Sequence, residues 1–349
     1  MKEGYRLLGD FIQPVDERNR DLKVDYLLGV SISKQFIPSI ANIVGTDLSS
    51  YKIVRTGQFA YGPVTSRNGE KISIALLQDK DCIISSSYTV FEVTDNERLD
   101  PEYLMLWFSR PEFDRYTRYM SHGSVREIFD WDELCKVELP VPSIEKQRGI
   151  VKAYNTITDR IELKRKINDN LEAVLAASHS KMFFSKDTSE HSKLGELMTF
   201  GNGKSRPKTD GPIPVYGGNG VLSYTDHHNI ENAVLIGRVG AYCGSVYLEQ
   251  GICWVSDNAI FAKSKITKDE FFDCFLLKRL NLFNHHVGTG QQLLTQEILN
   301  NIEVPKPVTE QIELFNRKAA SVFETIFTNS REIIRLQELS DLLLSRLAG

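Results

Sequence analysis

The sequence lacks the features of a membrane-embedded or disulfide-stabilised protein. It contains no apolar run of about 18 residues, the length that a membrane-spanning helix requires. Its N-terminal residues show no basic flank followed by an apolar stretch, so no signal peptide is predicted. The five cysteines are an odd number, and no two are spaced as Cys-x-x-Cys. A disulfide framework and a zinc site are therefore disfavoured, and a reducing cytoplasm is the expected location.

Signatures of catalysis are missing as well. Gly201–Ser205 lacks the first glycine of a P-loop, and Gly217–Gly220 opens no helix, as a dinucleotide-binding turn would. The triplet at 162–164 has the Glu-x-Lys form found in nucleases, but ion pairs along a helix face explain it better. No Asn-Pro-Pro-Tyr or Asp-Pro-Pro-Tyr segment of an adenine methyltransferase is present. We expect no catalytic residue, metal site or cofactor in this chain.

The charge balance is slightly acidic, with 42 basic and 46 acidic residues and a net charge of −4. A compact DNA-binding domain is often basic, so this balance counts against nucleic-acid binding. The chain has 349 residues, however, which suits two or three domains. A chain of this size can carry a local basic face while acidic residues cover the rest, so DNA is not excluded.

The most informative feature is an internal repeat. Residues 137–142 (VELPVP) recur 165 positions later as residues 302–307 (IEVPKP), and each proline pair is followed by Glu and Gln. Upstream segments recur in the same order: Leu8–Asp10 with Leu194–Glu196, Ser86–Phe91 with Ser256–Phe261, Glu102–Arg110 with Glu270–Lys278, and Met120–Gly123 with Val287–Gly290. This order predicts a duplicated unit of one globular domain and one helix.

The segments after each proline pair predict two long helices. The first begins after Pro142, with Ser143 as N-cap and Glu145 in the first turn. Both segments carry apolar residues at alternating spacings of three and four, interrupted by polar residues such as Lys164, Asn168 and Asn329, as in a coiled coil. About 40 residues span about 60 Å, longer than a small domain is wide. An antiparallel pair is therefore predicted; the alternative is that each helix packs on its own domain.

The predicted fold class is α+β. Two similar globular target-recognition domains of short strands and helices are separated by two long antiparallel coiled-coil helices, with an approximate internal two-fold repeat. The predicted boundaries are 1–141 for the first domain, 142–187 for the first spacer helix, 188–307 for the second domain and 308–349 for the second helix. Each domain is expected to hold one amphipathic helix, at Pro101–Met120 and at Lys268–Phe283.

Basic, amide and aromatic residues in predicted loops are the candidates for DNA contact, because such side chains bind phosphates or base edges. In the first domain they are Lys34, Gln35, Tyr61, Arg67, Asn68, Lys71, His122 and Arg126. In the second domain they are Lys204, Arg206, Lys208, Tyr216, Asn219, Arg238 and Tyr242.

As a whole the chain resembles the specificity subunits of type I restriction-modification systems. LPVPSIEKQRGIV (139–151) and VPKPVTEQ (304–311) are similar to the family's entry into its conserved helices. YGGNGVLSY (216–224) and VLIGRVGAYCGSVY (234–247) are similar to the core of a family recognition domain. The chain is short for the family, which puts any extra terminal segment in doubt.

The resemblance implies a non-catalytic DNA-binding subunit in which each domain reads one half of a split, asymmetric site. It further implies that the helices set the gap and dock two methyltransferase subunits, and that a motor-nuclease subunit cleaves DNA. S-adenosylmethionine, ATP and Mg²⁺ would then be bound by those partners, with adenine methylated after base flipping. Two alternatives stay open: a specificity subunit of a related non-type-I methylase-nuclease, and a duplicated coiled-coil scaffold that binds only protein.

Overall fold

The computed structural model describes residues 4–39, 45–66, 69–123, 126–185, 190–288 and 290–348. The chain forms two compact units. Unit 1 comprises Met1–Leu163 together with Ile333–Gly349, and unit 2 comprises Lys164–Glu332. Among the described helices, none is long and apolar enough to cross a membrane.

Short strands and helices alternate along the chain. The strands are β1 (Tyr5–Leu7), β2 (Ile12–Val15), β3 (Leu28–Val30), β4 (Phe36–Pro38), β5 (Lys52–Val54), β6 (Phe59–Tyr61), β7 (Ile74–Leu76), β8 (Cys82–Ile84), β9 (Thr89–Val93), β10 (Glu138–Pro140), β11 (His191–Lys193), β12 (Met198–Asn202), β13 (Ile213–Gly217), β14 (Gly220–Thr225), β15 (Ile230–Gly237), β16 (Val246–Val255), β17 (Ala259–Ser264) and β18 (Glu303–Pro305). The α-helices are α1 (Pro101–Phe108), α2 (Pro111–Met120), α3 (Trp131–Cys135), α4 (Ile144–Phe183), α5 (Leu194–Leu197), α6 (Phe271–Arg279), α7 (Gln296–Asn301) and α8 (Thr309–Ser345). The predicted mixture of short strands and helices with two long helices is confirmed.

The predicted repeat appears as a repeated sheet. In unit 1 the strand order is β2-β9-β6-β7, and in unit 2 it recurs as β12-β17-β15-β16, extended by β13 and β14. Individual backbone hydrogen bonds also recur in the two units. The amide of Leu8 donates to Val137 O at 2.8 Å, and the amide of Leu194 donates to Ile302 O at 2.9 Å. The two domains therefore share one backbone framework, as the duplicated sequence segments predict.

The strand pairing shifts the predicted correspondence between Ser86–Phe91 and Ser256–Phe261 by one residue. Tyr61 pairs with Thr89 in unit 1, and Ile236 pairs with Ile260 in unit 2. Ser85 therefore corresponds to Ser256, whereas the sequence comparison aligned Ser86 with it. A shift of one residue exchanges the side chains on the two faces of a strand, and the hydrogen-bond ladder rather than the similarity of the two segments fixes the register.

The single amphipathic helix predicted over Pro101–Met120 is wrong in detail, since it forms two helices. Arg110 has extended backbone angles (φ −72°, ψ 139°), and α2 starts at Pro111. The ring of a proline disfavours helical angles in the preceding residue, so α1 ends before it. In unit 2 the predicted helix over Lys268–Phe283 is shorter, because α6 ends at Arg279 and Asn281 adopts a left-handed conformation.

The long helices run antiparallel in unit 2. The ammonium of Lys164, in α4, donates to Asn329 Oδ1 of α8 at 2.9 Å. Further along α4, the ring of His179 lies 5.2 Å from that of Phe315, which is earlier in α8. Residue numbers thus rise along one helix as they fall along the other. The polar positions that interrupt the predicted seam meet each other, since Asn329 Nδ2 also donates to Asn168 Oδ1 at 2.9 Å.

Each long helix is also fixed to its own domain by a buried amide side chain. Gln147 of α4 donates to Arg98 O at 3.0 Å and accepts from the amide of Asp100 at 2.9 Å. Asn316 of α8 donates to Asp269 O at 3.0 Å and accepts from the amide of Phe272 at 2.9 Å. Both amides therefore satisfy backbone groups at the start of the helix that packs on the sheet. The boundaries of the four predicted segments remain a prediction.

Candidate nucleic-acid interface

Two loops meet at the end of the repeated sheet, and the same backbone hydrogen bonds join them in both units. One loop connects β6 to β7 in unit 1 (62–73) and β15 to β16 in unit 2 (238–245). The second loop precedes α3 in unit 1 (121–130) and α7 in unit 2 (286–295). In unit 1 the amide of Phe129 donates to Pro63 O at 2.8 Å, and in unit 2 the amide of Leu294 donates to Arg238 O at 2.9 Å. Pro63 and Arg238 therefore hold equivalent places. We refer to this arrangement as the loop pair of each unit.

In unit 1 the loop pair carries three of the predicted contact residues. Lys71 lies exposed in the β6–β7 loop, and His122 and Arg126 lie exposed in the second loop. Gly123 allows this second loop to close tightly, because it has φ +141° and a Cβ there would lie 2.0 Å from Arg126 O. The predicted residues Arg67 and Asn68 lie outside the described residues.

Two predicted contact residues of unit 1 have structural roles instead, which corrects the prediction. Tyr61 is fully buried within the core, where it corresponds to Ile236 of unit 2. The Lys34 side chain is 9% exposed, and its ammonium pairs with Asp114 at 2.6 Å. Burial lowers the pKa of Lys34, and the adjacent carboxylate opposes this effect. Gln35, the next residue, is exposed.

In unit 2 five of the predicted residues lie on segments that meet at one end of the sheet. Backbone bonds join these segments: the amide of Lys204 donates to Val255 O at 3.0 Å, that of Ser256 to Tyr216 O at 2.8 Å, and that of Arg238 to Asn258 O at 3.0 Å. Ser245 Oγ donates to Gly218 O, which brings the β15–β16 loop against the β13–β14 turn. Lys204, Asn219 and Tyr242 are exposed there, and Arg238 is half-buried.

Tyr216 contributes to this end of the sheet through its backbone rather than its hydroxyl. The hydroxyl donates to Glu249 Oε2 at 2.9 Å. Burial raises the pKa of Tyr216, and the Glu249 carboxylate raises it further. Arg206 and Lys208 are exposed on the segment that leads away from the loop pair, where Thr209 reaches Thr225 at the far end of β14 at 2.9 Å. The structure therefore does not group these two cations with the other five residues.

Gln291 is a candidate that sequence reasoning missed. The amide of Thr65 donates to Glu127 O and that of Gly240 donates to Gln292 O, both at 3.0 Å. This match makes Gln291 the counterpart of Arg126, and it is likewise exposed. The predicted correspondence of Met120–Gly123 with Val287–Gly290 is wrong by two residues, and it would place Leu293 rather than Gln291 opposite Arg126. In the structure Gly123 corresponds to Gly288, because a Cβ on either glycine would clash with the carbonyl oxygen three residues later, that of Arg126 or that of Gln291.

The chemistry offered by these surfaces is hydrogen bonding and positive charge. Lys, Arg, Asn and Gln side chains can bind phosphates and base edges. Among the residues that the structure describes, no group of three or more His, Cys, Asp or Glu side chains is arranged to hold a metal ion. Burial raises the pKa of the Cys82 and Cys253 thiols to about 12, so neither offers a thiolate at neutral pH.

Comparison with solved structures shows that this fold occurs in a known protein. An S subunit of a type I restriction-modification system from M. genitalium has the same fold, with a TM-score of 0.62 at 17% identity, over 99% of this chain and 96% of that one. The family model for the type I restriction modification DNA specificity domain matches residues 39–173 and again residues 186–342. The chain therefore belongs to the family of type I restriction-modification DNA specificity proteins.

Two curated relatives are similar in sequence. The type I restriction enzyme HindI specificity subunit of Haemophilus influenzae is 25% identical over 154 residues, which cover 42% of this chain and 32% of the relative. The MjaIX specificity subunit of Methanocaldococcus jannaschii is 21% identical over 296 residues, which cover 70% of this chain and 68% of the relative. The match thus spans about a third of the first relative's length and about two thirds of the second's.

Proposed function

We propose that this chain is the DNA-recognition subunit of a type I restriction-modification enzyme, and that each loop pair reads one half of a split site. The observation that carries this proposal is the repeated loop pair itself. The two units present the same backbone framework but different side chains, for example Pro63 against Arg238 and Arg126 against Gln291. A shared framework with different side chains suits a protein that reads two different half-sites in the same manner.

The proposal assigns DNA methylation and DNA cleavage to partner subunits. Two methyltransferase subunits would dock along the paired helices and a motor-nuclease subunit would join them, with S-adenosylmethionine, ATP and Mg²⁺ bound by those subunits. Family membership supports this assignment. The purified chain alone is accordingly expected neither to methylate nor to cleave DNA.

Salt-dependent binding tests the DNA-binding step. The full chain should bind a random duplex with an affinity that falls as salt rises, because each neutralised phosphate releases counterions. Replacing Lys71 by Ala should weaken binding to all sequences and reduce the slope of log K against log salt by about one unit. Lys152, an exposed lysine on α4, provides the matched control, and its replacement should leave the slope unchanged. A wild-type chain whose binding to DNA is undetectable or independent of salt would favour the protein-binding scaffold.

A further inference from the structure

Arg238 occupies a place in the loop pair where the backbone framework is shared by the two units but the side chain changes from a non-donor to a strong donor. In unit 1 this place is held by Pro63, whose carbonyl accepts the same backbone bond. Proline offers no side-chain donor and arginine offers five. The shared framework therefore requires only a backbone carbonyl at this position. The guanidinium is an addition that is specific to unit 2.

The guanidinium of Arg238 is held in place but weakly bonded. Its Nε is buried and makes no hydrogen bond within the part of the chain that the structure describes. One terminal nitrogen, Nη1, donates to Asp257 O at a long 3.4 Å. Because Nε is buried, an acceptor that approaches from outside can reach only the terminal nitrogens, and the long bond from Nη1 leaves them able to gain from such an acceptor.

The backbone beneath Arg238 is rigid. A Cβ on Gly237 would lie 2.1 Å from Tyr242 O, so the β15–β16 loop packs directly on the strand. The amide of Gly244 donates to Gly237 O at 2.8 Å, and that of Leu294 donates to Arg238 O at 2.9 Å. The backbone that carries Arg238 is therefore already ordered before binding, whereas Arg206 lies exposed on the segment leading away from this edge.

We infer that Arg238 reads a guanine in the half-site recognised by unit 2, with its guanidinium donating to O6 and N7 in the major groove. Guanine presents two adjacent acceptors there, which match the fork of an arginine, whereas the other bases do not. Exposed Asn219 and Tyr242 flank the same edge and would contact neighbouring base pairs or phosphates. This inference rests on the proposed function, and it names one recognised base, guanine, and the residue that recognises it, Arg238.

Selection from a randomised duplex library tests the inference. The purified full chain, alone and with its cognate methyltransferase subunit, is allowed to select DNA, and the bound sequences of the wild type, Arg238→Ala and Arg238→Lys are compared. The wild type should select a split site, and Arg238→Ala should reduce the preference for guanine at one position of one half-site by roughly 5- to 150-fold. Arg238→Lys, which keeps the charge but not the fork, should reduce the same preference partially. Arg206→Ala is the matched control and should change no base preference.

The outcomes separate the two levels of the proposal. A wild-type chain that selects no sequence overturns the proposed function. A wild type that selects a split site, with folded Arg238 variants that keep every base preference, overturns only the inference. The inference also fails if Arg238→Lys retains full guanine preference, or if Arg238→Ala weakens all sequences equally and reduces the salt slope. If the Ala variant does not fold, the Lys variant decides.

Discussion

Asp273 is an acidic side chain that is buried in unit 2. It is 1% exposed on α6, and within the described structure neither carboxylate oxygen makes a hydrogen bond. Burial, together with a smaller contribution from the neighbouring carboxyl of Glu270, raises its pKa from 3.8 to about 7. Because the folded state holds the proton more tightly than the unfolded state, its stabilising contribution is complete below pH 3.8 and is lost as the pH rises through about 7.

We therefore predict that the wild type loses stability relative to Asp273→Asn between pH 4 and pH 8. The difference should be on the order of 4 kcal/mol, since one pKa unit corresponds to about 1.4 kcal/mol. Urea unfolding of both proteins at several pH values measures it. Burial lowers the pKa of His179 to about 4, which acts in the opposite direction with pH, but this contribution is common to both proteins. A difference that does not depend on pH would show that Asp273 is charged in the folded state.

Gln147 and Asn316 are side chains whose importance comes from the backbone groups that they satisfy. They are 0% and 2% exposed. Replacing either by Ala should cost about 2 to 4 kcal/mol, because several buried backbone groups lose their partners. Thermal or urea unfolding measures the cost. Gln311, which the sequence aligns with Gln147, is exposed, and Gln311→Ala should change stability by less than about 0.5 kcal/mol. Equal losses for Gln311 and Asn316 would contradict the assignment.

At the residue scale, sequence reasoning identified the kinds of side chain but not their surroundings. Lys34 and Tyr61 are of the residue types that bind DNA. In the structure, however, Lys34 pairs with Asp114 and Tyr61 is buried in the core. Neither contact can be inferred from the neighbouring sequence. The same limit applies to Gln147 and Asn316. Gln147 and Asn316 are equivalent because each side-chain amide bonds to the backbone at the start of a helix that is distant in the sequence. The repeated proline motif instead aligns Gln147 with Gln311.

At the scale of elements, the sequence predicted the long helices well. Their heptad spacing is local information, and the proline pair before each helix marks its start within two residues of the observed Ile144 and Thr309. The break between α1 and α2 was also local, since Pro111 causes it, but an apolar pattern that runs through it concealed the boundary. The order of strands in each sheet could not be predicted, because pairing joins segments that are far apart in the chain.

At the scale of the whole molecule, the two long helices cross from one unit to the other, at residues 163–164 and 332–333. We predict that inserting one heptad at both points lengthens the gap between half-sites. Seven residues add about 10 Å, or roughly three base pairs. Insertion at these points leaves the contacts within each unit in place. Sequencing of methylated sites in cells that carry the variant and its partner subunits measures the gap.

The matched control is a four-residue insertion at both points, which disturbs the heptad register and should recover less modification. Three base pairs also rotate the duplex by about 100°, so the heptad variant is expected to lose the original site before it gains a new one. Full modification of the original site by the heptad variant would show that the helices do not set the spacing. This prediction rests on the proposed function.

Unit 2 is one uninterrupted stretch of chain, whereas unit 1 joins Met1–Leu163 to Ile333–Gly349. Leu344 and Leu347, from the second stretch, belong to the core of unit 1. As the ribosome makes the chain from its N-terminus, unit 2 can therefore be complete while unit 1, whose synthesis began first, still waits for its final helix turns. Part of the core of unit 1 stays uncovered during that interval, and we expect nascent chains to be most prone to aggregation at that stage.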